Sequence, residues 1–263
     1  MKLSISNIAW TAEEDAIMYP ALPSLGFHGL EIAPTRIFPE APYERLAAAG
    51  EWAETLVSRY GLVVSSMQSI WYGHQERIFA SREERRTLVD YTKKAIDFAE
   101  VIGCRNLVFG NPRNRDTEDV AGNYATAVDF FREIGEYALA HNTVIAIEAN
   151  PVIYNTRFIN TTQQAAEMAY QCDSAGVKVN VDLGTMIYNE EDIDYLKQIP
   201  EFIHHIHISE PGLKKIERRP LHNRLFSVLK AMEYEGYVSI EMGKVGAEEC
   251  INVCKYVYSL LEP

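Results

Sequence analysis

Residues 143–183 read TVIAIEANPVIYNTRFINTTQQAAEMAYQCDSAGVKVNVDL, and the order of patterns in this stretch decides the fold class. A short β-branched run, 143–149, ends in Glu148 and Ala149, and an irregular segment follows. Thr161 then stands in N-cap position before the apolar-periodic TQQAAEMAY, and Gly176 closes that helix ahead of a second β-rich run, 177–183. Two strands joined through a helix run parallel, because the helix carries the chain back to the starting edge. The same unit repeats outward in both directions. Strand-like runs fall near 3–9, 28–33, 62–68, 105–110, 143–149, 177–183, 202–208 and 236–241. Helical candidates alternate with them near 13–25, 43–60, 82–102, 117–141, 161–174, 190–199, 220–235 and 246–261.

Eight such units in 263 residues are the count of a closed (β/α)8 TIM barrel, an α/β fold. An open doubly wound sheet would place a Gly-rich phosphate loop after its first strand, where this chain has Asn7-Ile8-Ala9-Trp10. Helix starts such as Ser81 with Glu84, and stops at Gly61, Gly103 and Gly236, keep the alternation regular. No linker, low-complexity tract or charge block interrupts it, so a single domain over 1–263 is expected. Two connections, 69–81 and 111–116, are longer than a barrel requires. Both leave C-terminal strand ends, where they would overhang the mouth.

Lys plus Arg number 25 against 37 Asp plus Glu, a formal charge of −12, which opposes a polyphosphate partner and argues against nucleic acid. No stretch approaches the roughly 18 apolar residues of a membrane span, and MKLSISNIAW has no leader pattern, so the expected location is cytoplasmic with no membrane partner. Cys104, Cys172, Cys250 and Cys254 are too few for a disulfide framework. Cys250 and Cys254 share one helix face and, lacking a second pair, are read as packing.

Side chains at the last inward position of each barrel strand converge on one cavity. Four successive runs place a metal-ligating type there: Glu148, Asp182, His207 and Glu241. Three carboxylates around one imidazole repel one another unless a cation lies between them. An O,O,O,N donor set without thiolate favours Mn²⁺, with Mg²⁺, Co²⁺ or Zn²⁺ as alternatives.

This order of ligands resembles the xylose isomerase-like barrel superfamily, nearest its ketose 3-epimerase branch. The resemblance is densest over 143–243, in Glu148 with Asn155, Phe158, Asn160 and Thr161, in Val181-Asp182-Leu183-Gly184 with Asn189-Glu190, in His207-Ile208-Ser209-Glu210, and in Gly236-Tyr237 through Glu241. It implies a divalent metal on Glu148, Asp182, His207 and Glu241, with Glu148 and Glu241 as the catalytic acid/base pair either side of the inverted carbon. The implied partner is a small carbohydrate, and the implied assembly a homodimer or homotetramer. A metal-polarised carbonyl acidifies the neighbouring C–H, so paired carboxylates suit that chemistry.

One departure stands out: Thr185 occupies the place of a substrate-contacting His in the ketose epimerases. The expected substrate-binding residues are Thr185, Glu210, Gln68, Trp71, Lys244 and Arg113, the arginine and lysine as holders of an anionic group. His205 is read as a core histidine one layer below His207, Asn180 as a hydrogen-bond partner of a ligand, and Trp10 and Glu31 as pocket walls. Alternatives to an isomerase or epimerase are a metal-dependent dehydratase of a keto-cyclitol and a non-catalytic sugar-binding barrel. An endonuclease IV-like activity is disfavoured, because His28, His74, His141, His204 and His222 do not sit at that family's ligand places.

Overall fold

The computed structural model describes residues 1–261. Eight parallel strands close on themselves in chain order. They are β1 (Lys2–Ser6), β2 (Phe27–Ile32), β3 (Val63–Met67), β4 (Leu107–Phe109), β5 (Ile145–Glu148), β6 (Val177–Asp182), β7 (Ile203–Ile208) and β8 (Tyr237–Ile240). Closure is made by β8 against β1, with Tyr237 opposite Lys2 and Ile240 opposite Ile5. The helices are α1 (Asp15–Ser24), α2 (Pro34–Ile37), α3 (Leu46–Tyr60), α4 (Arg82–Val101), α5 (Val120–Ala140), α6 (Thr162–Cys172), α7 (Leu183–Tyr188), α8 (Pro220–Ala231) and α9 (Ala247–Ser259). The fold is the expected TIM barrel, in one domain.

Each helix buries one stripe against the outer face of the sheet. In α4 that stripe is Leu88, Val89, Thr92, Ala95, Ile96, Phe98 and Ala99, the 3.6-residue period that amphipathic helices show. Between β4 and α5 the packing is aromatic, with Phe109 edge-to-face on Trp71 at 4.5 Å and on Phe131 at 4.9 Å. All four cysteines are buried and unpaired, in keeping with a packing role. Among the described residues no helix is long and apolar enough to cross a membrane.

The expected helix at 190–199 is the one element the structure redraws. Helix α7 starts directly at Leu183 with no intervening loop, and 193–198 is a 3₁₀ segment, Ile193–Gln198. The cause is local: Asp182, the last residue of β6, accepts the Thr185 N–H at 2.6 Å and caps the helix at the strand end.

Inside the barrel the usual branched apolar filling is replaced by polar side chains. Ser4, Ser6, Glu31, Ser66, Asn180, His205, His207 and Ser239 are all buried. Some of them pair inside the barrel: Gln68 Nε2 donates to Ser6 Oγ at 2.7 Å, and His207 on β7 reaches Glu31 on β2 at 2.8 Å.

Helix α5 packs tightly on the start of β6 through two glycines. A Cβ on Gly176 would lie 1.9 Å from the Gly135 carbonyl oxygen, and one on Gly135 would lie 2.4 Å from Val177 Cγ2. Gly176→Ala is therefore expected to destabilise the fold by about 3 kcal/mol through overpacking, read as a lower urea midpoint at unchanged slope.

Candidate functional site

Strands β5, β6 and β7 and the residue after β8 bring Glu148, Asp182, His207 and Glu241 together at the C-terminal mouth of the barrel. One ligand atom from each lies within 4.8 Å of all the others. His207 is the centre: its Nδ1 is 3.0 Å from Glu148 Oε1 and 3.3 Å from Glu241 Oε2. Glu241 sits one position past β8, and its N–H is held by the Ile208 carbonyl at 2.9 Å, so the ladder extends just far enough to orient it.

Each carboxylate has its own support. Asn180 Nδ2 donates to Glu148 Oε1 at 2.6 Å, as the sequence suggests, and Asn150 Nδ2 donates to Glu148 Oε2 at 3.2 Å. Asn150 is in turn held by the guanidinium of Arg115 at 2.8 Å. Asp182 accepts from the Thr185 N–H and from Ser209 Oγ, while Ser209 Oγ itself accepts the Gly184 N–H at 2.8 Å. Gly110 leaves space beside Glu148, since a Cβ there would lie 2.7 Å from Oε2.

Above these groups opens a cavity of about 550 Å³. Its floor is Glu148, Asp182 and Glu241, and its wall includes Gln68, Trp71, Tyr72, Arg113, Tyr154 and Glu210. The two long loops form much of the rim and are latched together: Ile78 N–H donates to the Asn114 carbonyl at 2.9 Å, and Asn114 Nδ2 donates to the Glu76 carbonyl at 2.8 Å. A site at the C-terminal strand ends of such a barrel is where this fold carries its chemistry.

Of the expected substrate contacts, Gln68, Trp71, Arg113 and Glu210 line this cavity, whereas Thr185 and Lys244 do not. Thr185 is buried, with its hydroxyl 2.8 Å from Asp182 Oδ1 and 2.9 Å from the Ala149 carbonyl. It supports a candidate ligand instead of lining the cavity. Lys244 is exposed on the segment after β8. Arg113 is exposed at the rim, while Glu210 is buried in a bidentate pair with Arg219 at 2.6 and 2.7 Å. Trp71 also donates its indole N–H to Thr92 Oγ1 at 2.8 Å, which fixes its ring.

Trp10 and Glu31 are not cavity walls. Trp10 donates to Asp15 at 2.7 Å, and Glu31 lies beneath His207 with no exposure at all. Asn150, Tyr154 and Ser209 were not anticipated. Asn150 and Ser209 each follow a candidate ligand by two residues, the offset that returns to the same face of an extended chain, and that spacing was their only signal.

The charges fit a divalent cation. Desolvation pushes Asp182 up to about 6, helped by the charge of Glu148 and resisted by His207. Desolvation likewise carries Glu241 up to about 7 against the pull of His207, with Glu148 and Asp182 adding to the rise. Burial works against a charged His207, yet Glu31 and Glu241 hold its pKa well above the ordinary imidazole value. The cluster thus retains protons where a cation would relieve it, and its oxygen-rich, thiolate-free donors suit a hard to borderline ion.

The family model described as a xylose isomerase-like TIM barrel matches residues 20–253. Among solved structures, the 3-keto-D-glucoside 4-epimerase of E. coli is similar at 20% identity and a TM-score of 0.78, over 99% of this chain and 98% of that one. D-Psicose 3-epimerase of Clostridium cellulolyticum is similar at 18% identity and a TM-score of 0.81, over 100% of both chains. A sugar phosphate isomerase/epimerase of Parabacteroides distasonis is similar at 16% identity and a TM-score of 0.72, over 100% of this chain and 94% of that one. None of the curated proteins matches the sequence.

Asp182, Glu241 and His207 all have raised folded-state pKa values, so across the window from about 5 to 8 these three groups bind more protons in the folded chain than in the unfolded one. Through these groups the metal-free protein loses stability as pH rises through that window. A divalent ion replaces the protons and removes the penalty. The expected result is that Mn²⁺ raises Tm more at pH 8 than at pH 5 in melts followed by circular dichroism. An equal shift at both would place the ion elsewhere.

Proposed function

The chain belongs to the xylose isomerase-like TIM barrel family, and on that premise we propose that it is a divalent-metal-dependent carbohydrate isomerase or epimerase acting by proton abstraction beside a carbonyl. The observation that carries this reading is the convergence of Glu148, Asp182, His207 and Glu241 on the floor of a cavity at the catalytic end of the barrel. A divalent ion bound by those four residues, Mn²⁺ by its donor set, would supply electrophilic polarisation of a substrate carbonyl and stabilise the charge that develops on it.

The chain's own groups supply the proton traffic. Glu241, on the cavity floor with an oxygen 3.3 Å from His207 Nδ1, is placed to take or return a proton at a bound sugar. Glu148 is held by amide donors on both oxygens, from Asn180 and Asn150, which fixes its direction toward the cavity. Two carboxylates at one reacting carbon are what inversion or carbonyl migration requires. The similarity to a 3-keto-D-glucoside 4-epimerase and a D-psicose 3-epimerase supports this chemistry.

The lining also favours an uncharged sugar. Arg113 is the sole Arg or Lys among the described residues of the cavity wall, and it is exposed at the rim. Arg115, behind the wall, is spent on Asn150 and on the carbonyls of Phe109 and Ile159, and Arg219 on Glu210. A phosphate would need the bidentate partners that this wall lacks.

Incubation of free ketoses and keto-glycosides with the Mn²⁺-loaded protein in heavy water is expected to place one deuterium on the carbon next to the carbonyl. Glu241→Gln is expected to slow this exchange by roughly 10²–10⁴-fold. Conjugated-enone absorbance without deuterated sugar would replace the reading with a dehydratase. Tight binding without exchange would replace it with a sugar-binding barrel. In the same assay a phosphorylated ketose is expected to react more slowly than its neutral counterpart, and the reverse ratio would refute the uncharged-sugar assignment.

A further inference from the structure

We propose that Glu31 is a positioning residue that orients His207, locking its ring so that Nδ1 is the nitrogen offered at the cavity floor. The inference rests on the metal-centre part of the reading above and extends it to a residue on the opposite wall of the barrel. Glu31, the next-to-last residue of β2, has no solvent exposure and accepts the Nε2–H of His207 on Oε2 at 2.8 Å. The Nε2 of His205 lies 3.0 Å from that same oxygen, off the line of a good hydrogen bond. The other oxygen, Oε1, accepts from Gln68 Nε2 at 3.3 Å, and that amide is anchored on Ser6 Oγ at 2.7 Å.

A neutral imidazole carries one N–H and one lone pair, and whichever nitrogen meets an anion keeps the proton. Glu148 and Glu241 would be committed to the ion, so the anion left to hold the proton of a neutral His207 is Glu31 below the ring, and the lone pair falls on Nδ1. That atom faces Glu148 Oε1 at 3.0 Å, Glu241 Oε2 at 3.3 Å and Asn180 Nδ2 at 3.1 Å. Without Glu31, nothing of negative charge would remain beneath the ring. The proton would then move to Nδ1, where the two cavity glutamates stand, and the lone pair needed for an ion would turn away from the cavity. A carboxylate that orients a metal-binding histidine in this way contributes to affinity without touching the ion.

The test is titration of the metal-free protein with Mn²⁺ by calorimetry, with the visible spectrum of the Co²⁺ form as a second readout. Wild type, Glu31→Ala and Glu31→Gln are compared. The expected result is one ion per wild-type chain, a Kd weakened roughly 10–100-fold in Glu31→Ala, and a smaller loss in Glu31→Gln, which keeps an acceptor of the same shape. The Co²⁺ absorption bands are expected to shift in Glu31→Ala. Circular dichroism checks folding, and if the alanine variant does not fold, the isosteric glutamine variant alone must show the weakened Kd.

Unchanged affinity in a folded variant would overturn the proposal. So would two ions in wild type falling to one on substitution, which would make Glu31, His205 and His207 a metal site themselves. Absence of any ion in wild type would overturn it as well. Glu31-dependent metal binding without hydrogen exchange on any sugar would refute the proposed function and leave this inference standing.

Discussion

Repulsion among carboxylates crowded into the barrel mouth is the constraint on which the other features of this structure depend. Glu148, Asp182 and Glu241 point at one another around His207, and a fourth carboxylate, Glu31, lies directly below. Burial alone would raise the pKa of Glu31, but the charge and hydrogen bond of His207, with His205 close by, hold it below the ordinary carboxylate range. Glu31 is therefore held ionised by its neighbours, while burial and mutual repulsion carry Asp182 and Glu241 up to about 6 and about 7. That asymmetry separates an anion buried among its protein partners from a cluster whose donors could hold a cation.

The neighbours of the site are arranged to bear this cost. Arg115 is completely buried without a carboxylate partner in contact, and desolvation brings its pKa down to about 10 while Glu148 pulls it back up. Its guanidinium reaches Glu148 only through the Asn150 amide, which accepts from Arg115 and donates to the glutamate. A direct ion pair would neutralise the glutamate and turn it away from the cavity. The intervening amide transmits orientation and leaves the carboxylate free. Asp182 does two jobs with one side chain, capping α7 and presenting an oxygen to the floor, with Thr185 and Ser209 fixing its rotamer.

A polar barrel interior forgoes part of the apolar burial that usually stabilises this fold. Stability comes instead from the outer layer, where Phe109, Phe130, Phe131 and Trp71 interlock and the helices bury continuous stripes against the sheet. The latch between the loops at 69–81 and 111–116 then closes one side of the cavity over the site. Stable packing outside thus supports strained electrostatics inside, the division of labour expected of an active site.

The β-rich runs and the helices between them were legible from the chain because hydrophobic period and glycine stops are local properties. The four converging side chains were legible too, since each ends a strand in a closed barrel and parallel strands align their ends. The helix at 183–188 was hidden because its start depends on the Asp182 side chain bonding back to the Thr185 N–H, which no periodicity announces. Thr185 and Glu31 changed roles for a related reason. Their sequence neighbours show that they are near the site, but which way each points depends on partners 36 and 176 residues away, Ala149 and His207. The sequence by itself determined the strand count, the barrel and the set of ligand types at its mouth. Only the tertiary structure decided which of the nearby polar groups face the cavity and which are consumed in holding the others, because that choice is made by contacts between strands remote in the chain.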